Sequence, residues 1–246
     1  MPEESTPASP LSLTLPPLEQ IESLPAVSFV PTPIGNLKDI SLRALETLAS
    51  VDFIACEDTR HSLRLLNHYG IQKPLVSYHE HNEKRRVDDL VARLQAGETM
   101  AVISDAGMPA ISDPGFRLIQ GLIENELSYT VLPGASSTLT ALVASGFTTH
   151  SFFYGGFLSV KKGKRRKQLE QAGELEYPSI FFESPHRLKS TLEILNEHCP
   201  TASVVVAREL TKTYEQLIRG TSVEVYEYYK ERTAKGEIVL MLQCGE

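Results

Sequence analysis

The stretch Met100-Ala-Val-Ile-Ser-Asp-Ala-Gly-Met-Pro-Ala-Ile-Ser-Asp-Pro-Gly115 opens as a short apolar strand, Met100 to Ile103, and runs into a loop from Ser104 to Gly115. A helix over Phe116 to Glu124 is expected beyond it. Strand-to-helix connections in α/β units usually take about 2 to 6 residues, and longer loops in compact domains are mostly functional. The same alternation recurs outward in both directions. Strands are expected at Val27 to Val30, Val51 to Cys56, Leu75 to Tyr78 and Tyr129 to Leu132, followed by helices at Ser41 to Leu48, Ser62 to Tyr69, Arg85 to Gln95 and Ser137 to Ala144. Strands that alternate with helices need crossovers, so this half predicts an α/β fold with a mainly parallel sheet.

The segment Gly146 to Gly156 reads as a break before a second unit. There the pattern predicts a basic helix from about Lys164, a strand at Ser179 to Phe182, a helix at His186 to Glu197, a strand at Ala202 to Ala207 and a closing strand at Ile238 to Gln243. The expected divisions are 1–25, 26–147 and 148–246. In the first, Pro2, Pro7, Pro10, Pro16, Pro17 and Pro25 interrupt backbone hydrogen bonding among serines, threonines and glutamates, which predicts a disordered leader.

The 246 residues carry a formal net charge of -7, with 41% hydrophobic and 22% charged residues. That balance argues against gripping nucleic acid by bulk electrostatics, which needs a basic face. A local patch remains: Lys161, Lys162, Lys164, Arg165, Arg166 and Lys167 gather around Gly163 and suit phosphates, or else form a solvated loop. Arg60 and Arg187, with Arg64, Arg85 and Arg86, would extend such a track. Cys56, Cys199 and Cys244 are odd in number and lack C-x-x-C spacing, which favours neither a disulfide framework nor a cysteine zinc site and suits a reducing cytoplasm. No H-x-x-x-H or H-E-x-x-H spacing occurs, so no metal site is expected. No apolar run reaches the roughly 20 residues of a membrane span, and no basic region followed by an apolar core opens the chain. A protein neither secreted nor embedded is expected.

In open α/β sheets, ligands gather beyond the carboxyl ends of strands. Three loops there are rich in glycine and small polar residues: Thr32 to Leu37, Ser104 to Gly115 and Pro133 to Thr138. The first is either a plain turn or a place where Gly35 lets a ligand approach the backbone. In the second, Asp105 is suited to accept from hydroxyls or an amine, whereas Asp113 reads as a helix cap or support. In the third, small residues at a helix start leave amides open to a polar ligand, or are simply caps. The glycine fingerprints of dinucleotide and P-loop sites are missing.

Taken in order, Thr32 to Leu37, Asp39 to Ala44, Glu57 to Arg60, Ser104 to Gly115, Pro133 to Ser137, Phe181 to Arg187, Ala207 to Gln216 and Lys235 to Leu240 resemble the tetrapyrrole-methylase superfamily. They are most similar to its branch that methylates the ribose 2′-hydroxyl of a cytidine in the decoding region of small-subunit ribosomal RNA. The resemblance implies a two-domain α/β enzyme with a mainly parallel N-terminal sheet and a mixed C-terminal sheet. It further implies S-adenosylmethionine folded into the cleft between the domains, no metal, usually a homodimer, and free ribosomal RNA or the assembled 30S subunit as partner. Carried over by position, the cofactor site comprises Pro33, Gly35, Ser104, Asp105, Ala106, Gly107, Ile111, Ser136, Ser137, Thr138, Phe182, Glu183, Leu210 and Gly236. Porphyrinogen C-methylases of the superfamily share the cleft, and a nucleotide-binding module without turnover is the rival from another class. The basic stretch favours the RNA branch.

A ribose hydroxyl is a poor nucleophile at neutral pH, so a group that takes its proton or stabilises the forming alkoxide helps. Glu183, or Glu209 assisted by Lys212, is the preferred choice, each following an apolar strand. Arg208, Glu209 and Lys212 read equally as a salt-bridged loop. Further polar clusters lie at Glu57 to His61 and His79 to Glu83.

Overall fold

The computed structural model describes residues 18, 19, 21 and 23–244. The first of two five-stranded sheets contains β1 Val27–Phe29, β2 Phe53–Cys56, β3 Leu75–Ser77, β4 Met100–Ile103 and β5 Tyr129–Val131, all parallel in the order β3-β2-β4-β1-β5. The two central strands β2 and β4 are buried at every residue because helices cover both faces. Side chains alternate along each strand with period two. Ala101 and Ile103 face α1 (Leu42–Ser50) and α2 (Thr59–His68), packing with Leu45, Leu48 and Leu66. Met100 and Val102 face α3 (Glu83–Gln95) and α4 (Phe116–Glu124), packing with Leu90, Leu94, Leu118 and Leu122. Each such leucine, isoleucine, valine or methionine side chain, fully removed from water, contributes roughly 1.5–3 kcal/mol.

The second sheet contains β6 Phe153–Phe157, β7 Ser179–Glu183, β8 Ser203–Arg208, β9 Gln216–Thr221 and β10 Ile238–Gln243, in the order β6-β7-β10-β8-β9. It is mixed: β6 runs parallel to β7, and the remaining pairs are antiparallel. Ile238, Leu240 and Leu242 of β10 pack beneath α6 (Lys162–Gly173), α7 (Pro185–His198) and α8 (Ser222–Lys230). Val239 and Met241 on the other side meet Ala141 and Leu142 of α5 (Ser137–Ser145) and Ile34 of the loop after β1. Helix α5 therefore follows the first sheet in sequence and packs on the second.

Strand β4 and helix α4 fall where the sequence pattern puts them; helices α2 and α3 begin earlier, α2 because Asp58 caps it through a hydrogen bond from the Arg60 amide (2.8 Å). Two strands and one α-helix have no counterpart in the pattern. The segment read as a break contains β6, whose Gly155 lets the strand pass the Phe181 ring, where a Cβ would collide. Strand β9 and helix α8 fill the stretch between β8 and β10; α8 starts on a capping box between Thr221 and Glu224. Most of the predicted leader lies outside the described residues. Its described part touches the fold: Leu18 and Leu24 pack on the α1 side of the first sheet, and the Ile21 amide donates to Ser50 Oγ at 3.0 Å.

Candidate active site

The chain crosses from one side of the first sheet to the other between β1 and β4, and the loops following these strands meet at that switch point. They are zipped together. Thr32 N–H donates to the Gly107 carbonyl and Gly107 N–H to the Thr32 carbonyl, both at 3.0 Å, while Thr32 Oγ1 donates to the Ser104 carbonyl at 3.1 Å. Gly107 has φ +84°, and a Cβ there would sit 3.3 Å from Ile34 Cγ2. Across the gap, the loop between β8 and β9 presses against the first: a Cβ on Gly35 would run into the Lys212 side chain. Of the five described non-glycine residues with positive φ, Ala110 and Ser112 lie on the loop after β4 and Glu209 and Thr211 on the loop between β8 and β9. Backbone strain of this kind clusters at functional sites.

Between the sheets lies a cleft of about 380 Å³. One wall is the Asp105 to Gly107 turn with Ile111; another is the start of α5 at Ser136, Ser137 and Thr138; the second sheet supplies Phe182, Ala207, Leu210 and Val239, with Gly236 at the edge. Eleven of the fourteen residues assigned by resemblance to the cofactor are thus brought to one place: Asp105, Ala106, Gly107, Ile111, Ser136, Ser137, Thr138, Phe182, Glu183, Leu210 and Gly236. Pro33, Gly35 and Ser104 are not on that wall. They line an adjoining cavity of about 280 Å³ together with His61, Arg64 and Lys212, and the two spaces share Ile34, Asp105, Ala106 and Glu237. Ser104 is 4% exposed and turns its hydroxyl toward the Gly107 carbonyl (3.3 Å), so it shapes the loop rather than presenting a hydroxyl to a ligand.

The cleft is acidic on its first-sheet side. Burial, then the neighbouring charges of Glu57 and Asp105, push Asp113 up to about 6, against a lowering hydrogen bond from Ser104. Burial and Asp105 likewise raise Glu57. Asp113 is not the helix cap expected: α4 begins on Gly115 without a side-chain cap, and Asp113 lines the cleft. Its neighbour Ser112 shares a 2.6 Å hydrogen bond with the Tyr154 hydroxyl of β6, joining the two sides. Such carboxylates attract a cationic ligand. Apolar wall, free helix-start amides and acidic turn together suit a ligand with a positive centre and polar ends.

The predicted catalytic residues part company. Glu183 is 3% exposed and both its oxygens are engaged: Oε1 accepts from Arg187 Nε (2.8 Å) and the Ser184 amide (2.7 Å) and forms an ion pair with Arg187 Nη2 (2.7 Å), and Oε2 accepts from Thr191 Oγ1 (2.5 Å). A buried carboxylate held by an arginine ion pair and three hydrogen bonds is a strut, not a free proton acceptor, and this corrects the reading of Glu183 as a base. Lys212 lines the adjoining cavity, and Glu209 stands behind it just past the end of β8. Lys212 Nζ donates to Glu209 Oε1 (2.9 Å) and Glu237 Oε2 (3.0 Å), and the Glu237 amide donates to the same Glu209 oxygen (3.0 Å). Burial alone would lower the Lys212 ammonium; its bonds to Glu209 and Glu237 outweigh burial and hold it above its ordinary value. The Glu237 amide and Lys212 hold Glu209 below its ordinary value. The pair is a fixed ammonium on a carboxylate anchor.

The predicted RNA contacts also divide. Lys161, Lys162, Lys164, Arg166 and Lys167 are exposed on α6, Lys162 beside Glu193 (3.5 Å) and Arg166 beside Glu170 (3.4 Å). Arg165 is 4% exposed and turns inward, donating to the Ser159 carbonyl (3.0 Å) and Ser190 Oγ (2.9 Å). Arg187 is taken by Glu183. These two are structural and leave the proposed track. Arg60 is exposed and pairs with Asp58 at 3.1 Å. Of the residues at or beside the cleft, Ser112, Tyr154 and Glu237 have no individual role in the sequence reading, whereas Asp113 is there as a cap or support and Glu57 within the polar cluster Glu57 to His61. Glu57 had the signal of its post-strand position; Tyr154 lies in the stretch read as a break.

Two five-stranded sheets clasping a cleft at the switch point of the first define the tetrapyrrole methylase class. The family model described as Tetrapyrrole (Corrin/Porphyrin) Methylases matches residues 26–226, and the chain belongs to that family. The fold agrees with the crystal structure of the methyltransferase CobJ at a TM-score of 0.69, over 90% of this chain and 95% of that one, with 19% identity. Within the family, the chain is 48% identical to Ribosomal RNA small subunit methyltransferase I of Halalkalibacterium halodurans, over 87% of this chain and 74% of the relative. It is 45% identical to the Bacillus subtilis protein of the same name, over 87% and 73%. The chain is a methyltransferase, and its family implies a methyl donor. No helix among the described residues is long and apolar enough to cross a membrane.

Proposed function

We propose that this protein transfers the methyl group of S-adenosylmethionine to the 2′-hydroxyl of a cytidine ribose in the decoding region of small-subunit ribosomal RNA. The observation that carries the reading is the junction of two cavities: the acidic, half-apolar cleft suits the donor, and the adjoining space holds a fixed ammonium where an acceptor oxygen would sit. The relatives named Ribosomal RNA small subunit methyltransferase I support the choice of acceptor.

Bound S-adenosylmethionine supplies an electrophilic methyl on a sulfonium. Asp105, the Gly107 backbone and the amides of Ser137 and Thr138 hold its polar ends, while Phe182, Leu210 and Val239 keep water away. Methyl transfer is an in-line displacement, so most of the work is alignment of acceptor with methyl. As the new carbon–oxygen bond forms and the donor's carbon–sulfur bond breaks, the hydroxyl proton passes to water; Lys212 stabilises negative charge gathering on the acceptor oxygen, and Glu209 with Glu237 keep its ammonium in place. Lys161, Lys162, Lys164, Arg166 and Lys167 meet backbone phosphates of the RNA or the assembled subunit. A second copy of the chain covers the exposed apolar residues Tyr129 and Val131 of the edge strand β5. The three free thiols suit a cytoplasmic setting.

The test is to incubate the purified protein with tritiated S-adenosylmethionine and either 30S subunits, free small-subunit RNA or a porphyrinogen. Label is expected in the RNA, at a position resistant to alkaline cleavage because the 2′-oxygen is blocked. Label in the porphyrinogen, or in no acceptor despite measured donor binding, would overturn the reading.

A further inference from the structure

A second opening flanks the junction of donor cleft and acceptor cavity. It encloses about 560 Å³ between the loop after β8, the end of α8 and the turn before β10, and it meets the donor cleft at Gly236. Its walls are aromatic and cationic: Arg208, Tyr214, Tyr228, Tyr229, Arg232 and Lys235. Most of them are already arranged. Gln216 Nε2 donates to the Tyr228 hydroxyl (3.0 Å) and accepts through Oε1 from Arg208 Nε (3.2 Å), and Arg208 Nη1 donates to the Lys235 carbonyl (3.2 Å). Arg232 lies over the Tyr228 ring at 4.3 Å and donates to the Tyr228 carbonyl (2.6 Å).

Two features point to a ligand. Tyr229 is 3% exposed, yet its hydroxyl has no hydrogen-bond partner in the structure, and it lines this opening. An unpaired buried hydroxyl is costly unless something accepts from it. Tyr214, at the mouth, is 74% exposed, an unusual place for an aromatic ring without a face to stack on. Aromatic rings beside arginines are the usual platform for single-stranded bases, since every base has a π-face and the cations meet the backbone. Three cations concentrate here on a chain with net charge -7.

We infer that this opening is a nucleobase pocket, which receives the base of a single-stranded nucleotide adjacent to the one whose ribose is methylated. The Glu209 to Lys212 pair links it to the acceptor cavity, because Glu209 lines the one and Lys212 the other. A base stacked on Tyr214 fixes the strand while Lys212 meets the neighbouring ribose. Tyr229 donates to the base, and Arg232 and Lys235 meet the phosphates. The inference rests on the proposed RNA acceptor for its placement beside the reaction, but not for its binding chemistry.

The experiment uses the full chain and two readouts: Kd for a labelled oligocytidylate by fluorescence anisotropy, and kcat and KM on 30S subunits with saturating donor. Tyr214→Ala and Arg232→Ala are expected to raise both Kd and KM by about tenfold, with kcat and donor affinity within about twofold of the parent. Tyr214→Phe, which keeps the ring, restores the parent values. Kd and KM within about twofold of the parent for both alanine variants, or a loss that Tyr214→Phe fails to restore, overturns the pocket. Should the parent methylate no RNA yet bind the oligonucleotide in a Tyr214-dependent way, the pocket stands and the proposed activity falls.

Discussion

Glu183 and Glu209 sit in the same sequence context, each at or just past the end of a second-sheet strand with a cation three or four residues on, and the fold puts them to opposite uses. The Glu183 side chain is fully buried, its two oxygens shared among Arg187, Ser184 and Thr191. Glu209 keeps 18% of its side chain exposed, sits at φ +52° and holds Lys212 at the edge of a cavity. A satisfied carboxylate holds strands and helices together; a half-satisfied one on a strained loop holds another group in place for chemistry.

The hardest test of that contrast is Glu183→Ala. Removing one member of a buried pair typically costs about 3–5 kcal/mol, and partial exposure of Arg187 puts the expectation at the low end. Urea unfolding should show this loss, with near-parental kcat in the folded fraction; a loss of kcat with unchanged stability would reverse the assignment. Lys212→Met should do the converse. Loss of one preorganised donor to an oxyanion lowers kcat by about 10²–10³, whereas the midpoint of unfolding and the donor Kd should stay near the parent. A variant with normal kcat would end the proposed role of the ammonium.

The acidic side of the cleft gives a smaller effect. Asp113 is raised from 3.8 to about 6, so between those values the folded state binds more protons than the unfolded state. Its contribution to stability therefore declines as pH rises through that window. Affinity for a cationic donor should rise over the same window, by a factor of about three to ten, as the carboxylate ionises. Asp113→Asn should flatten this profile, measured by calorimetry from pH 5 to 7. The smallest effect is expected on α6. Lys164→Glu with Lys167→Glu should weaken RNA binding and reduce the salt slope by about 0.7 to 0.9 per lost phosphate contact, leaving stability unchanged. Arg165→Glu should instead lower stability, because it buries an unpaired charge.

Much of the first sheet was legible because parallel strands covered on both faces appear as apolar runs, and the loops beyond them carry glycines that the turns require. The second sheet was less so. Strand β9 offers Leu217 and Ile218 between polar residues, and α8 spells Val-Glu-Val-Tyr-Glu-Tyr-Tyr, closer to a strand alternation than to a helix period; a capping box and the tertiary setting decide it. At the site, the loops were readable and the fate of charges was not. Yet Arg187 and Thr191 stand four apart on one face of α7, beside Glu183 at the end of β7, and Arg165, Leu169 and Ala172 share one face of α6. Period, applied to charged residues as strictly as to apolar ones, separates struts from contacts.

Helix α5 is tethered to one sheet and glued to the other, and its first turn forms part of the cleft wall. Any molecule that touches Ser137 and Asp105 at once becomes a cross-brace between two halves otherwise joined by that helix and a few loop contacts. Filling the cleft should thus merge the two lobes into one cooperative unit, and a calorimetric melt would sharpen as well as shift upward.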